Sequence, residues 1–419
     1  MDRRDFIGGA AASGIMLLNS RTAFGTEANS AVRLGLLGCG NRGTSVATSF
    51  AKNTTARVVA LADLFPDQLA AGKAHFDQVN AGLGVPAIDP KLMFRGSHAY
   101  EELANSKDVD AVQISTPPWF HVQHLDAVVR AGKHAYCEKP LGVDVAQTQQ
   151  ALEIGKRADG RLSLDVGFEV RSAPPIAEVV RRIHAGDIGR IAAITAHYFA
   201  PDAVSHSGTG WSADEFRLRN WLWDLALSGD IIVEQNIHVI DLCNWILGSH
   251  PVKATATGGR SVIRHPGDCW DNYQVIYTYP NDVHMSFSST QWGRGTWFDV
   301  TERFFGATGM AEAPYSGPVR IIGDKAWTWG EGGSSAPAKF AANGAFSDNL
   351  EFADRDKDRA YIESITSGKF HNQAADGVQS ALSAMLGRMA GRTGKTVAWE
   401  DLLQHGERYS MNIDMTQFG

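Results

Sequence analysis

From residue 32 the chain alternates short apolar runs with longer stretches whose apolar positions recur every three or four residues. VRLGLLGCG, RVVALADL, DVDAVQISTPP, HAYCEKPL and RLSLDVGFEV have strand length. RGTSVATSFAKNTT, PDQLAAGKAHFDQVNAG, HVQHLDAVVRAGK and VDVAQTQQALEIGKRADG lie between them with helical spacing. Continuous apolar strands separated by helices predict βαβ units and a parallel sheet over residues 31–171. After residue 172 the pattern changes. IAEVVRRIHAG is one more helix, and then RIAAITAHYF, PVKATATGGRSV, NYQVIYTYP, VHMSFSSTQW and GPVRIIG alternate with period two. That predicts an α+β domain over 172–419 whose large, open, mostly antiparallel sheet has one face covered by helices. NWLWDLALSGDIIVEQNIHVIDLCNWILG reads as a loop entering a helix, and Gly330 to Asn349 as an irregular excursion. RDKDRAYIESITSG and GVQSALSAMLGRMAGRTG are closing helices, free to dock back on the first domain.

The 419 residues suit two domains, and 44% hydrophobic with 20% charged residues is ordinary for a globular chain. A net charge of −7, with no basic stripe, argues against a nucleic-acid partner. Cys39, Cys137, Cys243 and Cys269 are scattered without a C-x-x-C pair, so neither a disulfide framework nor a zinc site is expected. No metal is called for. No apolar run reaches the roughly 18 residues that span a bilayer. The first 30 residues differ in kind: Arg3 and Arg4 precede a Gly/Ala-rich apolar stretch to Leu18, and Ala23-x-Gly25 offers a processing site. This resembles a twin-arginine signal peptide and linker, which implies export through that machinery to the periplasm or beyond, with no membrane attachment after cleavage. Such export carries folded protein with its cofactor aboard.

Gly38, Gly40 and Gly43 form G-x-G-x-x-G where the first strand meets the first helix. The glycines allow a tight turn, close approach to a pyrophosphate and close helix packing, and the helix N-terminus attracts the anion. Asn41 and Arg42 belong to the same turn. Asp63 ends the second strand 20 residues after Gly43, where a carboxylate binds ribose hydroxyls and disfavours a 2′-phosphate. NAD is therefore expected rather than NADP. Ser115, Thr116 and Pro117 end another strand and should line the cofactor channel, with His121 opening the next helix. Glu138 and Lys139 in CEKPLGV stand at a third strand end, where ligands collect in such sheets. A cationic nicotinamide beside Lys139 would ease proton relay through it. His238, Asp241 and Trp245 can share a helix face, with Glu234 four residues before His238. His238 suits a base removing a hydroxyl proton, while Asp241 reads better as a buried structural carboxylate.

GLLGCGNRG, ALADL, STPPWFHVQHLDAVVRAGKHAYCEKPL, VGFEVR and EQNIHVIDLCNW together resemble the glucose–fructose oxidoreductase, inositol dehydrogenase and rhizopine-catabolism (Gfo/Idh/MocA) family, over residues 31–415. The resemblance implies a Rossmann NAD-binding domain, then a substrate domain whose sheet forms a homodimer or homotetramer interface. It also implies that Lys139 is the catalytic lysine, Glu138 a cofactor-contacting glutamate and Arg171 a residue near the nicotinamide. Glu234 and His238 match the family's Asp-x-x-x-His pair, with glutamate replacing aspartate.

HSGTGWSADEFRLRNWLWD brings Trp211, Trp221 and Trp223 together with His206 and Arg217, a mixture suited to the apolar faces and hydroxyl edges of a sugar. The leading expectation is an exported oxidoreductase that moves a hydride between a tightly bound nicotinamide cofactor and a sugar or glycoside carbon. One alternative is an NAD-dependent glycosidase that oxidises, eliminates, hydrates and re-reduces. Another is a non-catalytic, cofactor-bound sugar-binding protein.

Overall fold

The computed structural model describes residues 31–203, 205–292, 297–330, 339–341, 344–346 and 348–419, and the expected signal peptide lies outside them. β1 (Arg33–Leu37), β2 (Arg57–Asp63), β3 (Met93–Arg95), β4 (Ala111–Ile114), β5 (His134–Cys137) and β6 (Leu164–Val166) form a parallel sheet. Its order is β3-β2-β1-β4-β5-β6. All four residues of β4 are buried, and its one polar residue, Gln113, donates to the Gly43 oxygen at 3.0 Å. α1 (Asn41–Asn53), α2 (Pro66–Gly82), α3 (Ala99–Asn105), α4 (Pro118–Arg130) and α5 (Val145–Ala158) connect the strands. The order reverses between β1 and β4, so the crevice beyond their carboxyl ends is the place for a ligand.

α6 (Pro174–His184) turns Ile176, Val179, Val180 and Ile183 inward and leads into the second sheet. Its strands are β7 (Ile191–Ala200), β8 (Lys253–Gly259), β9 (Asn272–Tyr279), β10 (Val283–Gln291), β11 (Asp299–Gly306), β12 (Gly309–Pro314), β13 (Arg320–Gly323) and β14 (Trp327–Thr328). Part of the excursion expected after Gly330 is instead an antiparallel hairpin of β15 (Lys339–Ala341) and β16 (Gly344–Phe346). β17 (Val397–Ala398) completes the large sheet, in the order β14-β13-β12-β11-β7-β10-β9-β8-β17. Its pairings are antiparallel except β7 with β10. Along β9, Tyr273, Val275, Tyr277 and Tyr279 face the core while Gln274 and Ile276 face outward.

Between β7 and β8 run α7 (Ala213–Arg219), α8 (Leu225–Ser228), α9 (Ile231–Glu234) and α10 (Ile237–Leu247). The chain then closes with α11 (Ala353–Ser367), α12 (Ala374–Thr393) and α13 (Trp399–His405). α11 docks on the first sheet's helices: its Tyr361 meets Phe50 of α1 and Tyr136 of β5 edge-on, at 5.8 and 6.1 Å. The sequence pattern does not reveal β3, β11 or β12. β3 has three residues, and β11 buries Thr301 and Glu302 in succession, so it lacks the alternation that marks a half-buried strand.

Candidate active site

The glycine turn between β1 and α1 is shaped for a bound group. Gly38 has φ +95°, and a Cβ there would stand 2.6 Å from the Ser115 carbonyl oxygen. A Cβ on Gly43 would stand 2.0 Å from the Gly38 oxygen, whereas one on Gly40 would meet nothing within 4 Å. Gly38 and Gly43 are thus needed to close the turn, and Gly40 leaves its outer side bare. Gly40 is the N-cap of α1 and no side chain among the described residues caps that end, so the first amide groups are left for an anion. Asp63 ends β2 nearby. Its Oδ2 accepts from the Cys39 amide at 2.7 Å and its Oδ1 from Phe65 at 2.8 Å, which fixes the carboxylate at the mouth of the turn. Burial pushes its pKa up despite these bonds. A dinucleotide fits this donor set: amides for the pyrophosphate and a fixed acceptor for ribose hydroxyls.

The turn opens into a cavity of about 1160 Å³ that Lys139, Glu234 and His238 also line. Lys139 follows β5. Its Nζ donates to Glu234 twice, to Oε1 at 2.7 Å and to the backbone oxygen at 2.5 Å. Glu234 ends α9 and His238 lies in the first turn of α10; Gln235 and Asn236 separate the two helices. Burial, then the charges of Lys139 and Arg42, hold the His238 imidazole well below its ordinary pKa. It is therefore neutral at pH 7 and able to accept a proton. Its Nδ1 is buried with no hydrogen-bond partner among the described residues.

Residues 32–166 match the model of the oxidoreductase family with NAD-binding Rossmann fold, and residues 176–312 match the GFO/IDH/MocA C-terminal domain. Inositol 2-dehydrogenase of Rhizobium meliloti is 30% identical over 293 residues, 69% of this chain and 78% of that protein. The chain belongs to the Gfo/Idh/MocA family. A glycosyl hydrolase family 109 protein of Streptomyces niveus is 34% identical over 131 residues, 31% of this chain and 25% of that protein. Levoglucosan dehydrogenase in complex with NADH and levoglucosan shares the fold at a TM-score of 0.66 and 19% identity, over 88% of this chain and 99% of that one.

Several residues that the family resemblance or the motif spacing places at the cofactor or substrate stand elsewhere. Glu138 does not line the cavity; it is buried, accepting from Arg42 Nε at 2.9 Å and from the Tyr136 hydroxyl at 3.2 Å. Arg42 does line the cavity, but its guanidinium is also bound by Glu169 at 2.8 Å and Asp354 at 3.0 Å. Burial works against that charge, yet Glu138, Asp354 and Glu169 together hold its pKa well above the ordinary value. Glu138 therefore supports the glycine turn through Arg42, with α11 supplying Asp354. His121 is also buried. Both ring nitrogens face backbone carbonyls, Pro140 at 2.8 Å and Thr116 at 2.7 Å, so it ties the loop after Lys139 to the strand end that supplies Thr116.

Arg171 is turned from the cavity. It forks onto Asp241 with two bonds of 2.8 Å and reaches Asp376 at 2.9 Å, and its guanidinium lies over Phe168 and Trp245. Asp241 also accepts from Ser380 at 2.7 Å, and neither it nor Trp245 lines the cavity. Arg217 is not in the cavity either: it pairs with Asp224 at 2.8 Å. Arg219, two residues on and so on the opposite side of the helix, is there instead. His206, Trp211, Trp221 and Trp223 do line the cavity, although Trp223 is almost wholly buried. Asn41, Ser115, Thr116 and Pro117 line it as well.

Glu169 and Gln235, which stand in the family-like stretches VGFEVR and EQNIHVIDLCNW but are not among the residues predicted from them, join the lining, and so does Tyr198, for which the sequence carries no signal. Burial raises the pKa of Tyr198 beyond its ordinary value, with the Glu234 and Glu169 charges adding to the effect, so its hydroxyl stays protonated as a donor. A motif scan misses it because β7 reads only as an alternating strand.

Proposed function

We propose that this protein is an NAD-dependent oxidoreductase acting on a CH–OH carbon of a sugar or polyol. The observation that carries the reading is convergence: Lys139, Glu234 and His238 line the same cavity as the glycine turn and Asp63. A bound nicotinamide supplies the hydride acceptor. The protein's own groups then divide the remaining work. Lys139, fixed by Glu234, donates a hydrogen bond to the reacting oxygen and orients it. Neutral His238 takes the hydroxyl proton as the C–O bond becomes a carbonyl. Glu234 thus positions the lysine. Asp63 favours NAD over NADP by meeting the ribose hydroxyls with a fixed carboxylate.

The relatives support a cyclic polyol or sugar, since one bears the name inositol 2-dehydrogenase and another was solved with levoglucosan. The twin-arginine pattern of the first residues supports export of the folded protein with its cofactor. The outward-facing Ile276, Phe305 and Ile322 of the large sheet support a homo-oligomer through that face. The similarity to the glycosyl hydrolase family 109 protein favours a second reading, net glycoside hydrolysis on the same bound cofactor.

Purified protein, denatured without added nucleotide, should release NAD(H) identifiable by absorbance and mass. Myo-inositol, levoglucosan and a p-nitrophenyl glycoside are then assayed in parallel. Reduction of the cofactor by a polyol supports the first reading, and release of p-nitrophenol without net reduction supports the second. No nucleotide carried or bound would overturn both.

A further inference from the structure

Asp63, which ends β2, and Leu64 and Phe65 after it stand where the adenosine of a dinucleotide would lie. They are roofed by two segments from the far side of the chain. The first is α7. Its Arg219 bridges to α2 through two bonds to Asp67, at 2.9 and 2.8 Å, and its Nε is held by Glu215 at 2.8 Å. The same guanidinium lies 3.9 Å from the centre of the Phe65 ring and 4.7 Å from that of Trp211. The second is the stretch 411–419. Met411 and Met415 line the cavity, and Phe418 meets Phe65 edge-on at 5.9 Å. The backbone oxygen of Gly419 accepts from the Ser97 amide at 3.1 Å and from the Ser97 hydroxyl at 2.5 Å. Gln417 joins the two segments, donating to Asp214 at 2.8 Å and accepting from Ser212 at 2.9 Å.

We propose that α7 and residues 411–419 form a clasp over the adenosine half of a bound dinucleotide, with Arg219 as its central positioning residue. Both segments meet at Phe65, so an adenosine leaving the cleft must part Arg219 from Asp67 and Phe418 from Phe65 together. The opening of these contacts consequently limits the release of the cofactor. The inference rests on the dinucleotide reading of the cleft.

The test is the release rate of NADH from the full-length protein, loaded and then chased with excess ADP-ribose while NADH fluorescence is followed. Arg219→Gln removes the Asp67 bridge, Arg219→Lys keeps part of it, and Phe418→Ala opens the second segment. Release at least tenfold faster in Arg219→Gln and Phe418→Ala, with Arg219→Lys intermediate, is expected. A tenfold change corresponds to about 1.4 kcal/mol. Gln417→Ala, at an exposed side chain, remains informative should Arg219→Gln fail to fold, and should also speed release. Equal release rates in all variants that bind NADH would overturn the clasp alone. A wild-type protein that binds no NADH would instead overturn the reading beneath it.

Discussion

Lys139 and Glu234, 95 residues apart in the chain, are joined by two hydrogen bonds from one ammonium, at 2.7 Å to the carboxylate and 2.5 Å to the backbone oxygen. The lysine comes from the end of the parallel sheet and the glutamate from α9 of the second half, so the pair fastens the two halves at the cavity. Replacing Lys139 with Met should lower kcat about 10²–10³-fold, the effect of losing a donor aimed at developing charge. NAD affinity, measured by titration, should remain within about threefold because the cradle is untouched.

His238 carries a pH signature. Its pKa lies well below the ordinary imidazole value of 6.5, so the base stays neutral in mildly acidic solution. The acidic limb of kcat/KM should therefore fall below pH 6.5. His238→Asn should abolish that limb and lower kcat about 10²–10⁴-fold. The same depression makes the folded state bind fewer protons than the unfolded one, so stability is lost as pH falls below 6.5. The Asn variant should lose less over that window in a pH series of thermal melts.

Asp63→Ala removes the acceptor of two backbone amides, Cys39 and Phe65. It should weaken NAD binding by at least about tenfold. NADP should be affected less, so the ratio of the two dissociation constants, read by fluorescence titration, moves toward NADP.

Arg171→Ala separates a structural role from a cofactor role. Asp241 is 1% exposed and would be left without the partner of its two 2.8 Å bonds. Breaking one side of a buried pair costs about 3–5 kcal/mol, and a denaturant titration should show a loss of that order. NAD affinity of the folded variant should be unchanged.

Glu302 is wholly buried on β11, with neither carboxylate oxygen bonded among the described residues, and burial holds its pKa well above the ordinary value. The folded state keeps it protonated while the unfolded state ionises above about pH 4.5, so it lowers stability as pH rises. Glu302→Gln should raise Tm by a few degrees at pH 8 and by almost nothing at pH 4.5.

The strand–glycine–helix junction at Gly38, Gly40 and Gly43, the acid at Asp63 and the EKP turn at Lys139 were legible because each depends on local geometry. A tight turn needs glycine, and a strand end needs only its own apolar run. The period-two strands likewise announced an antiparallel sheet. Identical letters gave no guide to partners. Arg171, Glu138 and His121 sit in motifs, yet Asp241, Arg42 and the carbonyls of Thr116 and Pro140 claim them. Those partners lie up to 96 residues away. Arg217 and Arg219 are two residues apart on α7, and only the packing of that helix turned Arg219 toward Asp67 and the cavity. The sequence by itself determined the two sheet types, the cradle and the chemical groups at the strand ends, since these follow from backbone and side-chain periodicity. Tertiary structure alone decided which charges neutralise one another and which face the cavity, because burial leaves no ionised group without a partner except where a ligand is to be met.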